Sequence, residues 1–231
     1  MLKLTLLALF TALMMTNKVH AGEKSLYDFL WLDPDKKVYV LQNKLYKKEH
    51  TAYVDVGYLS NFTSKFQDTY GFSGKAGFYV HEEWAIELFY NGYTNQNNDD
   101  FRNVRLVNQQ EPFIRRLNNS YGGNVIYSPF YGKINTFNQI IYFDWSLGAG
   151  IAQVNAESNL KSVKLGNVQT FFKNERYSGA VLKTNMKFHL TENWHLSAEY
   201  MNTYFQAAGP RSPTKKLRTN TDVILAVGFS F

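Results

Sequence analysis

Alternation with a period of two, carrying an unbroken apolar face, constrains this chain more than any other feature. Near its end Thr221, Val223, Leu225, Val227, Phe229 and Phe231 share one face, and Asp222, Ile224, Ala226, Gly228 and Ser230 the other. Successive side chains of a strand point to opposite sides, so this pattern marks a β-strand between two unlike environments. Gln139 to Gln153 repeats it, with Ile141, Phe143, Trp145, Leu147, Ala149 and Ile151 opposite Tyr142, Asp144, Ser146, Gly148 and Gly150. Tyr70 to Val80 sets Phe72, Ala76 and Phe78 against Ser73, Lys75 and Tyr79. Ser178 to Leu190 sets Leu182, Met186 and Phe188 against Lys183, Lys187 and His189. Residues 51–61, 84–95, 119–130 and 194–207 read as further strands, eight in all.

The connections alternate in length. His81-Glu82-Glu83, a turn around Gly132 to Asn138, and Thr191-Glu192-Asn193 are short. Residues 62–69, 96–118, 154–175 and 208–218 are longer and polar. Short turns on one side and long loops on the other, with an even strand count, are the pattern of outer-membrane β-barrels. The expected fold is therefore all-β: an eight-stranded antiparallel up-and-down transmembrane β-barrel over residues 51–231. The acidic turn before Trp84 is echoed before Trp194, which predicts two indoles in an aromatic girdle at the short-turn interface.

The start of the chain reads as an export signal. Lys3 precedes the apolar Leu4 to Met15, and Val19-His20-Ala21 supplies a small-residue cleavage site, so residues 1–21 are expected to be removed. The mature chain has no apolar run near the ~18 residues of a membrane-spanning helix. Residues 22–50 read as a periplasmic lead-in whose lysines, among them Lys36, Lys44 and Lys48, meet anionic headgroups or water. The chain has no cysteine, which excludes disulfides, a thiolate nucleophile and Cys-ligated zinc.

Alternation alone does not say which face is inside, because soluble barrels turn the apolar face inward. Three features favour a membrane barrel. The polar faces carry small residues that suit a narrow lumen, the apolar faces run without a charge, and the sequence ends on Phe229-Ser230-Phe231. Polar faces turned inward place Asp55, Lys75, Glu87, Asp144, Lys183, Lys187, His195, Glu199 and Asp222 in the lumen. Buried charge must be paired or hydrated, so an ion-pair plug is expected rather than an open pore.

The Val19-His20-Ala21 signal end, the alternating strands and Phe231 resemble small bacterial outer-membrane β-barrels. Lys37 to Glu49, Glu83 to Glu87 and Tyr127 to Lys133 resemble segments of the myxobacterial-type outer membrane β-barrel domain family. That resemblance implies no catalytic motif and no cofactor. It implies a partner, the barrel assembly machinery, reading Val223, Leu225, Val227, Phe229 and Phe231 as its signal. The location it implies is the outer membrane, with lipid and lipopolysaccharide as surroundings and a monomeric state.

Chemistry is sparse. His195-Leu196-Ser197 with Glu199 on the same face resembles the His-x-Ser of outer-membrane lipid A deacylases, but where that resemblance would place the acid stands Gly209. A lipid-modifying enzyme and a narrow small-solute channel are thus alternatives to a structural or surface-interacting barrel. Arg102, Arg105, Arg115 and Arg116 give the longest loop a basic character suited to anionic polysaccharide or lipopolysaccharide phosphates. Export and the modest net charge of +6 disfavour nucleic acid.

Overall fold

The computed structural model describes residues 45–108, 111–136, 139–165, 171–210 and 212–231. The expected signal peptide and lead-in residues 22–44 lie outside them. The strands are β1 (Ala52–Asn61), β2 (Gln67–Tyr79), β3 (Trp84–Asn97), β4 (Arg115–Thr136), β5 (Gln139–Ser158), β6 (Lys173–His189), β7 (Trp194–Gly209) and β8 (Ser212–Ser230). Each pairs antiparallel with its chain neighbours, and β1 pairs with β8 to close the ring. Closure leaves the spanning strands no free edge, which an apolar surrounding demands.

The sense of the two faces follows from exposure. Val56, Leu88, Ile151 and Leu225 are 62%, 65%, 74% and 61% exposed, whereas Asp55 and Asp222 are wholly buried. Apolar outside and polar inside is the inverse of a soluble barrel and defines the transmembrane kind. Among the described residues no helix is long and apolar enough to cross a membrane, and the apolar band belongs to the strands.

At the short-turn end the turns before Trp84 and Trp194 share one geometry. Val80 and His81 N–H donate to the Trp84 carbonyl at 2.9 and 3.2 Å, as Leu190 and Thr191 do to that of Trp194 at 3.0 and 3.2 Å. Both indoles face outward, Trp84 against Tyr127 and Trp194 against Phe229.

Four differences from the sequence reading have physical causes. First, β4 runs to Thr136, well past the expected 119–130 and through the expected turn at Gly132. A register shift between Tyr127 and Phe130 lets it continue past Pro129, which has no N–H to give the ladder. Second, β5, β6 and β8 extend into the expected loops 154–175 and 208–218. Beyond the apolar band the alternation fades, while backbone pairing continues. Third, the loop at 96–118 contains a helix, α1 (Asp99–Asn108), and a second, α2 (Leu160–Leu165), follows β5. Asn98 caps α1 by accepting from the Phe101 N–H at 3.1 Å, and Asp99 and Asp100 favour its first turn. Fourth, Lys48 of the lead-in meets neither headgroups nor open water: it is 4% exposed, inside the short-turn mouth.

Candidate functional site

The lumen is filled in layers. At the short-turn mouth Lys48 Nζ lies 2.8 Å from Asp144 Oδ1 and donates to Ser128 Oγ at 3.2 Å. Asp144 Oδ2 is 2.7 Å from His189 Nε2, and Tyr46 stacks on the His189 ring at 4.9 Å. Ser128 continues the inward row of Asn124 and Ile126, so regular alternation prepares the seat of Lys48, and beyond it the bulge at Pro129 reverses the alternation and turns Phe130 outward. Glu82 Oε2 accepts the N–H groups of Lys48 and Glu49 at 3.0 and 3.1 Å, fixing the backbone of the lead-in.

Next comes the densest charge cluster. Lys183 Nζ is 2.5 Å from Glu87 Oε1 and 2.7 Å from Glu199 Oε2. Lys75 Nζ is 3.0 Å from Glu199 and 3.7 Å from Asp55 Oδ2. Tyr53 OH and Asn124 Nδ2 add donors to Glu87. His195 Nε2 lies 2.7 Å from Asp55 Oδ1. The side chains of Lys75, Glu87, Lys183 and Glu199 are at most 2% exposed, so each attraction acts in a low dielectric and each charge depends on its partner. Lys187 behaves differently. Among the described residues no carboxylate comes within ion-pair distance of it, and its ammonium sits over the Tyr53 ring at 3.7 Å.

Asp222 does not join these ion pairs, contrary to the sequence reading that put it in one charge network. Asn61 and Asn220 donate to it at 2.6 and 2.9 Å, and Tyr93 OH at 2.8 Å. An apolar layer of Leu59, Phe89, Val181, Met201 and Ile224 packs inside the barrel, and a second of Leu117, Val154, Phe205 and Ala207 lies nearer the long loops. Composition hid these layers, because Leu59 and Ile224 sit on faces that read as polar.

A cavity of about 740 Å³ opens at the long-loop end. Lys65, Arg115, Lys216 and Arg218 line it together with Phe66, Phe113 and Phe205. Arg115 lines it, donating to Glu175 Oε2 at 3.3 Å and to the Ala208 carbonyl at 2.7 Å, so it joins β4 to β6 and β7. The four arginines picked out by sequence are not gathered here. Arg102 pairs with Asp99, Arg105 with Glu111, and Arg116 lies over Phe172. Lys216 and Arg218 fall in the stretch 208–218, whose composition predicts a loop but which the structure makes part of β8.

Among the described residues His195, Ser197 and Glu199 make no hydrogen bond to one another. His195 spends Nε2 on Asp55 and has Nδ1 3.3 Å from Ser230 Oγ. Among the described residues Ser197 Oγ has no hydrogen-bond partner, and Glu199 is held by the two lysines. A nucleophile needs its base within hydrogen-bond reach, which this row lacks. Among the described residues no three His, Asp or Glu side chains converge as metal ligands. Val223, Leu225, Val227, Phe229 and Phe231 form the outer face of β8 and its end, and Phe231 exchanges backbone hydrogen bonds with Ala52 at 2.9 and 3.0 Å.

No protein-family model matches the chain, and no curated protein does. Solved structures that resemble it include small outer-membrane barrels. The N-terminal β-barrel domain of Pseudomonas aeruginosa OprF is 16% identical, with a TM-score of 0.47, over 79% of this chain and 98% of that one. Neisserial surface protein A is 16% identical, with a TM-score of 0.43, over 78% and 94%. Yersinia pestis Ail, the attachment invasion locus protein, is 13% identical, with a TM-score of 0.41, over 79% and 99%.

Proposed function

We propose that this chain is a monomeric, non-enzymatic barrel of a bacterial outer membrane, exported with loss of residues 1–21, whose lumen is a structural plug and whose interactions occur at the long-loop, outer-surface end. The observation that carries this reading is the filled lumen. The Lys183–Glu87–Glu199–Lys75 cluster and two apolar layers occupy it, so solute traffic is disfavoured and the accessible cavity lies at the mouth. Its four cations and three aromatic rings suit an anionic surface saccharide. Partnership with the barrel assembly machinery is supported by the exposed outer face of β8 from Val223 to Phe231, and a girdle role for Trp84 and Trp194 by their outward indoles. The finer placement in the myxobacterial-type family rests on the sequence stretches Lys37 to Glu49, Glu83 to Glu87 and Tyr127 to Lys133.

The test pairs a heat-modifiability gel on outer-membrane fractions with planar-bilayer recording of the purified protein. The expected result is an SDS-resistant band that shifts on boiling, with no conductance steps. Steps that change in Lys183→Met or Glu87→Gln would replace the plug with a channel. A soluble, unshifted protein would overturn the membrane reading altogether.

A further inference from the structure

The barrel wall is not uniformly paired at its long-loop end. β5 and β6 stay in register up to Ser158 opposite Lys173, and β7 and β8 stay paired up to Gly209 opposite Ser212, across a register shift after Ala207. Between these two hairpins the β6–β7 ladder ends earlier, at Gly179 opposite Phe205. The hairpins therefore part above that pair and leave a notch. A groove of about 800 Å³ opens on the outside of the wall there. Behind it Tyr177 stacks on Phe205 at 5.1 Å.

The groove changes character along its length. Its lower wall is Tyr121, Gly123, Ile151 and Ala180, at the upper edge of the apolar band. Gly123 faces outward, and among the described residues a Cβ there would meet Leu88 at 3.4 Å and the Glu87 carbonyl at 3.7 Å, so a side chain at this position has room to enter the groove. One step higher come Gln153 and Ser178, which hydrogen-bond each other at 3.2 Å, and Gln206. At the rim stand Arg176 and Lys215. Both are exposed, and neither has a carboxylate partner among the described residues. Apolar, then neutral polar, then cationic is the order an anionic amphiphile presents from chain to headgroup. The lower wall faces the same surroundings as the rest of the apolar band, which are lipid.

We propose that this notch is a binding groove for a phosphorylated, acylated glycolipid of the outer leaflet, with an acyl chain against Gly123 and Ile151 and a phosphate on Arg176 and Lys215. The inference rests on the outer-membrane reading above and assigns a lipid site distinct from the saccharide-suited mouth cavity. Neutral sugar hydroxyls fall to Gln153 and Gln206. A phosphate replaces water around two unpaired cations, and the acyl chain fills a depression that bulk lipid packs less well.

The experiment is native mass spectrometry of the full mature protein released from detergent micelles, titrated with bis-phosphorylated hexa-acyl lipid A. Dephosphorylated lipid A and dodecanoate are the comparison probes. The wild type should bind the bis-phosphorylated form best. Arg176→Ala and Lys215→Ala should each weaken it about ten-fold, the loss of one charge-assisted hydrogen bond. Gly123→Trp should abolish binding by filling the groove, while Gly123→Ala retains it. The heat-induced gel shift, kept by every variant, shows that folding is intact. Equal binding by wild type and all variants would overturn the site. Equal affinity for dodecanoate or dephosphorylated lipid A would overturn the phosphate assignment. Loss of the gel shift in the wild type itself would instead sink the outer-membrane reading, whatever the lipid result.

Discussion

Replacing Lys183 by methionine should be the most damaging single change in the lumen, and its cost follows from the partners left behind. Among the described residues Lys183 is the one cation within ion-pair distance of Glu87, at 2.5 Å, and it also holds Glu199 at 2.7 Å. In Lys183→Met, Glu199 keeps Lys75 at 3.0 Å, but Glu87 keeps only neutral donors, Tyr53 and Asn124. Stranding a buried carboxylate costs about 3–4 kcal/mol. Lys75→Met should cost less, about 2 kcal/mol, because Glu199 keeps Lys183 and Asp55 keeps His195. The double change Lys183→Met with Glu87→Gln removes the stranded charge and should cost about 1–2 kcal/mol, less than Lys183→Met alone. Urea unfolding of each variant in detergent micelles, followed by tryptophan fluorescence, measures all three. Equal losses for the two lysines, or a double variant as unstable as the sum of its singles, would refute the reasoning.

Gly228→Ala should destabilise by about 2–3 kcal/mol in the same assay, since a Cβ there collides with Asp55 Oδ1 and His195 Nε2. Gly74→Ala, where a Cβ meets open space, should be neutral or gain about 0.5 kcal/mol. Lys48→Ala should free the lead-in, so trypsin cuts at Lys47 faster than in the wild type, and Asp144→Asn should do the same. An unchanged cutting rate in both would separate the lead-in from the mouth cluster. Deleting Phe231 removes its backbone pair with Ala52 and an exposed aromatic, and should lower outer-membrane levels several-fold by immunoblot of fractions. Normal levels would count against the assembly signal.

The strands that were easiest to read, Tyr70 to Val80, Gln139 to Gln153, Ser178 to Leu190 and Thr221 to Phe231, cross the apolar band, where one side chain in two meets an apolar exterior. Their extensions were hidden because that contrast disappears above it. Lys215-Lys216-Leu217-Arg218 has the composition of a loop, yet it is strand, held by pairing to β7. The helix α1 did carry a local signal, Asn98 followed by two aspartates, but it sits in an Asn-rich stretch that reads as loop. The site was less legible than the fold. Alternation sets a charge on the face opposite the apolar one but cannot choose its partner. Asp144 lies across the ladder from Lys187 and yet pairs with Lys48. Asp222 looks like any other acid of the row until Asn61 and Tyr93, distant in sequence, arrive beside it.

The central cluster draws Asp55 from β1, Lys75 from β2 and Glu87 from β3, and answers them with Lys183 from β6 and Glu199 from β7. Neither half of the chain is electrically complete by itself. A leading half threaded alone into hydrocarbon would carry Glu87 without its counter-ion, and a trailing half would carry Lys187 without the Tyr53 ring that shelters it. Stepwise entry, hairpin by hairpin, should thus meet a barrier that falls when the two halves come together across the lumen. The expected outcome is that insertion and ring closure occur together, so that a slow-closing variant stalls outside the bilayer rather than halfway across it.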